Sequence, residues 1–196
     1  MTGDAASGTV RGAKTQLRAT LLRRRRERSD ADRAAAGAAL AAHVGADPLL
    51  ARPRRVAAYH AMPGEPPTDE LIAALLATGR EVVVPVVDDA GLDWVAVVPG
   101  ATLVRSSLGI PEPDGPRLGA DALAGCDLVL VPALAADHGG HRLGRGAGYY
   151  DRALPRATAP LVAVVFADEL LPEVPTESHD VPVQAVLTPT GLFRVP

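Results

Sequence analysis

The chain has 196 residues, of which 47% are hydrophobic and 22% are charged, so it is long enough to bury the core of one domain. Its formal net charge of −3 at pH 7 argues against a surface built to bind nucleic acid. Cys126 is the single cysteine, which excludes an internal disulfide and a zinc site made of thiolates.

No segment of the sequence has the pattern of a membrane or export signal. Residues 1–11 are small and polar, without the apolar centre of a signal peptide. The longest apolar stretches, such as residues 128–136, fall short of the roughly 20 residues that a transmembrane helix needs. We therefore expect a cytoplasmic protein without nucleic-acid or membrane partners. Small-molecule partners and a monomer or weak homodimer are separate expectations that these absences do not establish.

The N-terminal third is predicted to be helical. Leu17, Leu21 and Leu22 recur at helical spacing, which predicts a helix over residues 13–28 after a flexible segment at 1–12. Ser29 followed by Asp32 resembles a capping box and predicts a second helix to about residue 44. We expect residues 13–196 to form a single catalytic domain.

Strands and helices alternate through the rest of the chain. Runs of β-branched and other apolar residues predict strands, and Thr68 and Gly79 are suited to begin and end a helix between two of them. The predicted strands are 55–60, 81–87, 93–98, 127–132, 161–166 and 185–188, with further helices at 68–77, at 120–124 and from about residue 148. This order predicts an α/β three-layer sandwich, with a mainly parallel central sheet covered by helices on both faces.

A glycine-rich loop at residues 142–151 follows the strand that is apolar on both faces. Gly144, Gly146 and Gly148 alternate with larger residues, so backbone N–H groups can approach an anion closely. Arg142 and Arg145 can add charge-assisted hydrogen bonds to phosphate oxygens. The loop matches neither the P-loop motif nor the dinucleotide-binding fingerprint. Its position beyond a strand predicts a phosphate-binding site at the carboxyl edge of the sheet.

Several separated motifs resemble those of the 5-formyltetrahydrofolate cyclo-ligase family, also called 5,10-methenyltetrahydrofolate synthetases. The segment RLGRGAGYYD at 142–151 is similar to the family's signature. Residues 14–18 (KTQLR) resemble its N-terminal K-x-x-x-R, residues 59–68 its folate loop, residues 130–137 its VPG-x-x-F-D stretch, and residues 177–180 its C-terminal acidic motif. These motifs occur in the family's order and span nearly the whole chain after residue 12.

The sequence departs from the family pattern at three places. Ala135 and Ala136 stand where an aromatic residue usually precedes the aspartate, and Ala147 stands where glycine or lysine is common. Pro66 and Pro67 replace residues that are usually not proline. The first two departures bear on affinity for the pterin or the phosphates, but none removes a group that the chemistry needs.

The resemblance implies an enzyme that uses ATP and Mg²⁺ to convert 5-formyltetrahydrofolate into 5,10-methenyltetrahydrofolate through a phosphorylated formyl group. Phosphoryl transfer depends mainly on positioning and on charge neutralisation. By resemblance, the catalytic residues are Lys14, Arg142 and Arg145. ATP would contact Lys14, Arg18, Arg142, Leu143, Gly144, Arg145, Gly146, Ala147, Gly148, Tyr149 and Tyr150. The folate would contact Arg18, His60, Met62, Glu65, Arg145, Gly146, Gly148 and Tyr149. Asp151 and Asp180 would hold Mg²⁺.

Each of these residues also has a purely structural interpretation. Lys14 and Arg18 could form a solvated basic helix face, as we expect for the arginine run at residues 23–26. Asp151 could cap a helix, Asp180 could serve a turn, and Glu65 could be an exposed loop acid. One tyrosine of the Tyr149–Tyr150 pair is expected in the core. His138, His141 and His179 lack the matching ligands of a zinc site.

Two other functions remain open on the sequence alone. One is a different enzyme on a similar sheet, such as a sugar-phosphate isomerase or a CoA-transferase, which would need an activated carboxylate but no ATP. The other is a non-catalytic protein that binds folate or nucleotide. Release of ADP that depends on the folate would separate both from the cyclo-ligase.

Overall fold

The structure is a computed structural model that describes residues 3–88, 91–100, 103–105 and 111–196. At residues 3–7, 88 and 105 it describes the backbone only. Within these ranges, no helix combines the length and the apolar character needed to cross a bilayer.

Five helices are described, and the side chains of Ser29 and Asp47 cap the starts of the second and third. The helices are α1 (Gly3–Glu27), α2 (Asp30–Ala42), α3 (Pro48–Ala51), α4 (Asp69–Ala77) and α5 (Tyr149–Ala153). Short 3₁₀ turns lie at Ala120–Gly125, Leu154–Arg156 and Ala167–Glu169. The Ser29 side chain accepts a hydrogen bond from the Asp32 amide, which confirms the predicted cap of α2. Thr68 makes no such cap, because its hydroxyl donates to the Tyr59 carbonyl instead.

The strands form one large sheet and two small ones. They are β1 (Arg55–Ala57), β2 (Glu81–Asp88), β3 (Gly91–Ala96), β4 (Leu103–Arg105), β5 (Pro111–Pro113), β6 (Leu128–Pro132), β7 (Ala135–Asp137), β8 (Arg142–Leu143), β9 (Leu161–Val164), β10 (Leu170–Leu171), β11 (Ala185–Thr188) and β12 (Gly191–Arg194). The large sheet has the order β12-β11-β9-β6-β1-β2-β3. Its five inner strands are parallel, and β3 and β12 add antiparallel edges. This architecture confirms the predicted α/β fold with a mainly parallel sheet.

The large sheet is buried on both faces because alternate strand residues enter different hydrophobic clusters. In β6, Leu128 and Leu130 pack with α2 and α4 on one face, while Val129 and Val131 pack with Leu123 and other residues on the opposite face. All four side chains are at most 1% exposed. Near-continuous apolar strands are what a parallel sheet with two covered faces requires.

A second, smaller layer holds α1 against the body of the chain. Strands β10, β7 and β8 form a three-stranded sheet, and Leu21 of α1 packs against its cluster together with Leu17 and Leu22. The predicted apolar stripe of this helix is therefore confirmed. Its beginning differs, because the helix already starts at Gly3 rather than near residue 13. The division into a flexible segment at 1–12 and one domain at 13–196 stays a prediction.

The sequence analysis misjudged several short elements. β1 and β9 are shorter than the predicted strands at 55–60 and 161–166, and the element at 120–125 is a 3₁₀ turn rather than an α-helix. Strands β7, β8 and β10 were not predicted, because two or three residues carry no measurable alternation.

Candidate active site

A cavity of about 410 Å³ opens at the carboxyl ends of β1, β2 and β6. This is the edge at which ligands bind in open α/β sheets. Its lining comes from the loop after β1, from β2 and β3, and from the glycine-rich loop. The lining residues are Tyr59, His60, Met62, Glu65, Pro85, Val87, Leu92, Glu112, Pro132, Ala133, Arg142, Gly144, Arg145, Gly146, Ala147, Gly148, Tyr149, Tyr150 and Asp151.

The glycine-rich loop adopts a backbone that other residues would strain. Gly146 has a φ of 102° and Gly148 a φ of 71°, both in the left-handed region. A Cβ on Gly148 would lie 2.9 Å from Nη1 of Arg152, and a Cβ on Gly146 would lie 3.6 Å from Cζ of Arg18. The helix that follows has only five residues, so its dipole adds little to anion binding at this loop.

The two loop arginines occupy different environments. Arg142 is 5% exposed, and its guanidinium pairs with the carboxylate of Asp151. Arg145 is more exposed, and its Nε donates to Oε1 of Glu65 over 2.9 Å while Nη2 donates to the Pro63 carbonyl over 3.3 Å. Arg145 therefore links the glycine-rich loop to the loop after β1.

Glu65 is buried at 6% exposure, which makes the alternative interpretation of Glu65 as an exposed loop acid wrong. Its Oε2 accepts from the Met62 amide over 2.9 Å, and its own amide donates to the Met62 carbonyl over the same distance. Gly64, with a φ of 84°, allows this tight turn. The carboxylate is thus fixed from both sides at the cavity wall.

His60 stands next to this turn, with a buried ring. Its Nδ1 lies 2.9 Å from Oδ1 of Asp69, and this hydrogen bond holds the pKa of Asp69 below its ordinary value. The Nε2 of His60 is buried and has no hydrogen-bond partner among the described residues.

The paired tyrosines differ in their surroundings, as predicted. Tyr150 packs against the core and its hydroxyl is buried, without a hydrogen-bond partner in the described ranges. Burial and then the charge of Glu65 raise the pKa of Tyr150 far above its ordinary value, so the phenol stays neutral. The ring of Tyr149 is partly exposed and lies 5.2 Å from the guanidinium carbon of Arg152.

Lys14 and Arg18 lie one helical turn apart on α1, and neither lines the cavity. Nε of Arg18 donates to the carbonyl of Gly144 over 2.9 Å. Lys14 is only 4% exposed, and its ammonium contacts Oε2 of Glu177 at 2.9 Å and Oδ2 of Asp180 at 2.5 Å. The interpretation of Lys14 as part of a solvated helix face is therefore wrong.

The acidic turn around Lys14 is itself well ordered by hydrogen bonds. Asp180 accepts from the Glu177 amide over 2.7 Å and from the Thr176 hydroxyl over 3.2 Å. Burial alone would raise the pKa of Asp180, but these bonds and the one from Lys14 outweigh it and leave the pKa lowered. The hydrogen bond from Lys14 likewise lowers the pKa of Glu177.

The predicted metal ligands are not brought together. Asp151 lines the cavity, whereas Asp180 does not and is engaged with Lys14. In the part of the chain that the structure describes, no group of three or more carboxylate, histidine or cysteine side chains could hold a metal ion. Leu143, predicted to contact ATP, is 1% exposed and packs beside Leu21 instead.

Sequence reasoning missed part of the lining and one buried charge. Tyr59, Pro85, Val87, Leu92, Glu112, Pro132 and Ala133 all face the cavity. The end of a predicted strand pointed to Pro132 and Ala133, but no signal marked Glu112. The run at residues 23–26 was expected in solvent, yet Arg25 is 2% exposed and pairs with Glu169.

A second, larger opening of about 560 Å³ lies at the amino ends of β1 and β2, lined by Arg54, Arg55 and Arg80 among others. Glu81 pairs with Arg55, and Asp127 accepts from the amides of residues 54 and 55. We place the active site in the smaller cavity, because it lies at the carboxyl edge and holds the glycine-rich loop.

Comparisons with known proteins identify the family of this chain. The model of the 5-formyltetrahydrofolate cyclo-ligase family matches residues 10–189. The chain is 44% identical to the 5-formyltetrahydrofolate cyclo-ligase of Mycolicibacterium smegmatis, over 90% of this chain and 94% of the relative. It is 30% identical to the mouse cyclo-ligase, over 93% and 96% of the two chains.

A solved structure agrees as well. The NMR structure of Aquifex aeolicus 5,10-methenyltetrahydrofolate synthetase superposes with a TM-score of 0.82 at 28% identity, over 93% of this chain and 92% of that one. From the family match, the close relatives and the shared fold, the chain belongs to the 5-formyltetrahydrofolate cyclo-ligase family of ligases.

Proposed function

We propose that the chain converts 5-formyltetrahydrofolate and ATP into 5,10-methenyltetrahydrofolate, ADP and phosphate in the cavity beside the glycine-rich loop. The observation that carries the proposal is the ion pair between Arg145 and Glu65. This pair joins the loop suited to phosphates to the turn suited to the folate, so both substrates would meet at one wall.

The phosphate end of the cavity would be the glycine-rich loop. Its left-handed glycines free the backbone for close approach, and Arg142 and Arg145 supply guanidinium N–H groups. The Nε of Arg142 is buried without a partner among the described residues. Arg18 braces the loop through the Gly144 carbonyl. Lys14 would add a third positive group only after its contacts with Glu177 and Asp180 opened.

The folate would bind against the loop after β1. Glu65 is an acceptor for N–H groups, and His60 and Met62 complete this wall. Pro85, Val87 and Leu92 give the opposite side an apolar surface for a flat ring.

The residues would act by orienting groups and by neutralising charge. The formyl oxygen attacks the γ-phosphorus, the bond from that phosphorus to the bridging oxygen breaks, and ADP leaves. The N10 lone pair then attacks the formyl carbon, the carbon–oxygen bond breaks, and phosphate departs with the former formyl oxygen. N10 loses its proton to solvent. The arginines stabilise the charge that develops on the phosphoryl oxygens.

Asp151 would hold a magnesium ion through Oδ2, since its Oδ1 pairs with Arg142. Its carboxylate lines the cavity with 38% of the side chain exposed, and Mg²⁺ in nucleotide sites takes one or two carboxylates together with phosphate oxygens. Bound magnesium would supply further neutralisation of the triphosphate. Asp180 could join only if its contact with Lys14 opened, so we propose Asp151 as the principal protein ligand.

The test is a direct assay of the purified chain. With 5-formyltetrahydrofolate and Mg-ATP, we expect the near-ultraviolet absorbance of the methenyl product to rise in step with ADP release. Omission of either substrate should abolish both signals. Binding of both ligands without turnover would support a non-catalytic binding protein, and product formation without ATP would refute the phosphoryl transfer.

A further inference from the structure

Tyr59 has a buried hydroxyl that the proposed reaction does not use. The residue follows β1, is 3% exposed, and its ring belongs to the core cluster beneath α4. Its hydroxyl has no hydrogen-bond partner among residues that the structure describes. Tyr59 also lines the active-site cavity, so the residue contacts both the hydrophobic core and the space that a ligand would occupy.

A buried hydroxyl without a hydrogen-bond partner destabilises the folded protein, and phenylalanine at position 59 would fill the same space without it. Leaving a buried donor unpaired destabilises the folded state, and native structures contain few such groups. Because Tyr59 faces the cavity, a bound ligand can supply the missing acceptor.

The neighbouring groups define the chemistry of that ligand. Burial and then the charge of Glu65 raise the pKa of Tyr59 well above its ordinary value, so the phenol keeps its proton and can donate. Glu65 is an acceptor, with one oxygen bound to Arg145 and the other to the Met62 amide. The wall therefore offers a donor beside an acceptor, which suits a ring carbonyl adjacent to ring and exocyclic N–H groups.

We propose that the Tyr59 hydroxyl donates a hydrogen bond to the ring carbonyl oxygen of the folate's pterin, while Glu65 accepts from the neighbouring N–H groups. Tyr59 would then determine specificity for the oxo form of the ring. The inference rests on the proposed function, since it concerns the folate in the same cavity.

The first test is Tyr59→Phe, which removes the hydroxyl and keeps the ring. A neutral hydrogen bond has a net worth of about 0.5–1.5 kcal/mol, so KM for 5-formyltetrahydrofolate should rise about two- to tenfold. KM for ATP should not change, and the melting temperature should stay equal or rise, because an unsatisfied group leaves the core. A wild-type folate KM in this variant would overturn the inference and leave Tyr59 as a core residue.

The second test uses a folate analogue with hydrogen in place of the ring carbonyl oxygen. Wild type should bind this analogue more weakly than the parent compound. In Tyr59→Phe the ratio of the dissociation constant of the analogue to that of the parent compound should shrink about two- to tenfold, because the variant lacks the hydroxyl that would bond to the ring oxygen. An unchanged ratio would contradict the inference. If wild type itself showed no folate-dependent ADP release, the proposed function would fail, independently of the result for Tyr59.

Discussion

Arg25 and Glu169 form an ion pair that is almost completely buried behind the cavity. The side chains are 2% and 1% exposed, and two bonds of 2.7 Å join them. Arg25 also donates to the carbonyl of Ala133, a lining residue, over 2.6 Å, and Glu169 accepts from the Phe166 amide over 3.0 Å. The pair thus connects α1 to the strand end that forms the cavity floor.

Replacing Arg25 with methionine should destabilise the protein strongly. The change keeps an apolar stem but leaves the Glu169 carboxylate buried, with the Phe166 amide as its one remaining partner among the described residues. Breaking a buried pair in this way costs about 3–5 kcal/mol. In a chain of this size each kcal/mol lowers the melting temperature by about 2–4 °C, so we expect a fall of roughly 6–20 °C.

Urea unfolding and thermal melts should compare wild type with two further variants. Arg24→Met is the matched control, because the side chain of Arg24 is exposed. This substitution should change the free energy of unfolding by no more than about 0.5 kcal/mol. The double variant Arg25→Met with Glu169→Gln removes the unpaired charge and should recover much of the loss. A loss below about 1 kcal/mol in Arg25→Met would refute the reasoning.

Three further changes test the contacts around the loop. Lys14→Met should remove most turnover and make the free energy of unfolding depend less on acid pH. The pKa of Asp180 is lowered in the folded state, so its contribution to stability is complete above the unfolded pKa and fades below about pH 5. Urea unfolding at pH 7 and at pH 3.5 would measure the difference. Arg145→Lys keeps the positive charge but loses the planar guanidinium that donates to both Glu65 and Pro63. It should lower kcat/KM for both substrates about tenfold in steady-state assays. Gly148→Ala places a Cβ against Arg152 on a left-handed backbone, and should lower the free energy of unfolding by about 1–2 kcal/mol. Thermal melts should also show a smaller rise in melting temperature on addition of ATP.

Six of the seven strands of the large sheet could be predicted because they carry their own signal, whereas β12 was missed. An apolar run such as residues 128–132 predicts a strand that is buried on both faces, without knowledge of its neighbours in the sheet. The three-stranded sheet under α1 could not, since its strands have two or three residues and are held by pairing alone. The early start of α1 at Gly3 also escaped prediction, because residues 3–12 lack an apolar stripe.

The structure brings two of the sequence motifs together, but it also pairs distant charged residues that no motif linked. The glycine-rich loop and the turn at Glu65 line one cavity, as the motifs suggested. By contrast, Arg25 meets Glu169 across 144 positions, and Lys14 meets Asp180 across 166. A run of arginines or a lone lysine gives no indication of which carboxylate it will face, so only the fold could assign these pairs.

Following the formyl oxygen tests the central claim most directly. The claim is that the glycine-rich loop presents the γ-phosphorus to that oxygen, so the oxygen must leave with the phosphate. Substrate labelled with ¹⁸O in the formyl group should give phosphate that carries one ¹⁸O atom per turnover, as read by mass spectrometry. Unlabelled phosphate, with the heavy oxygen recovered in water, would contradict the account.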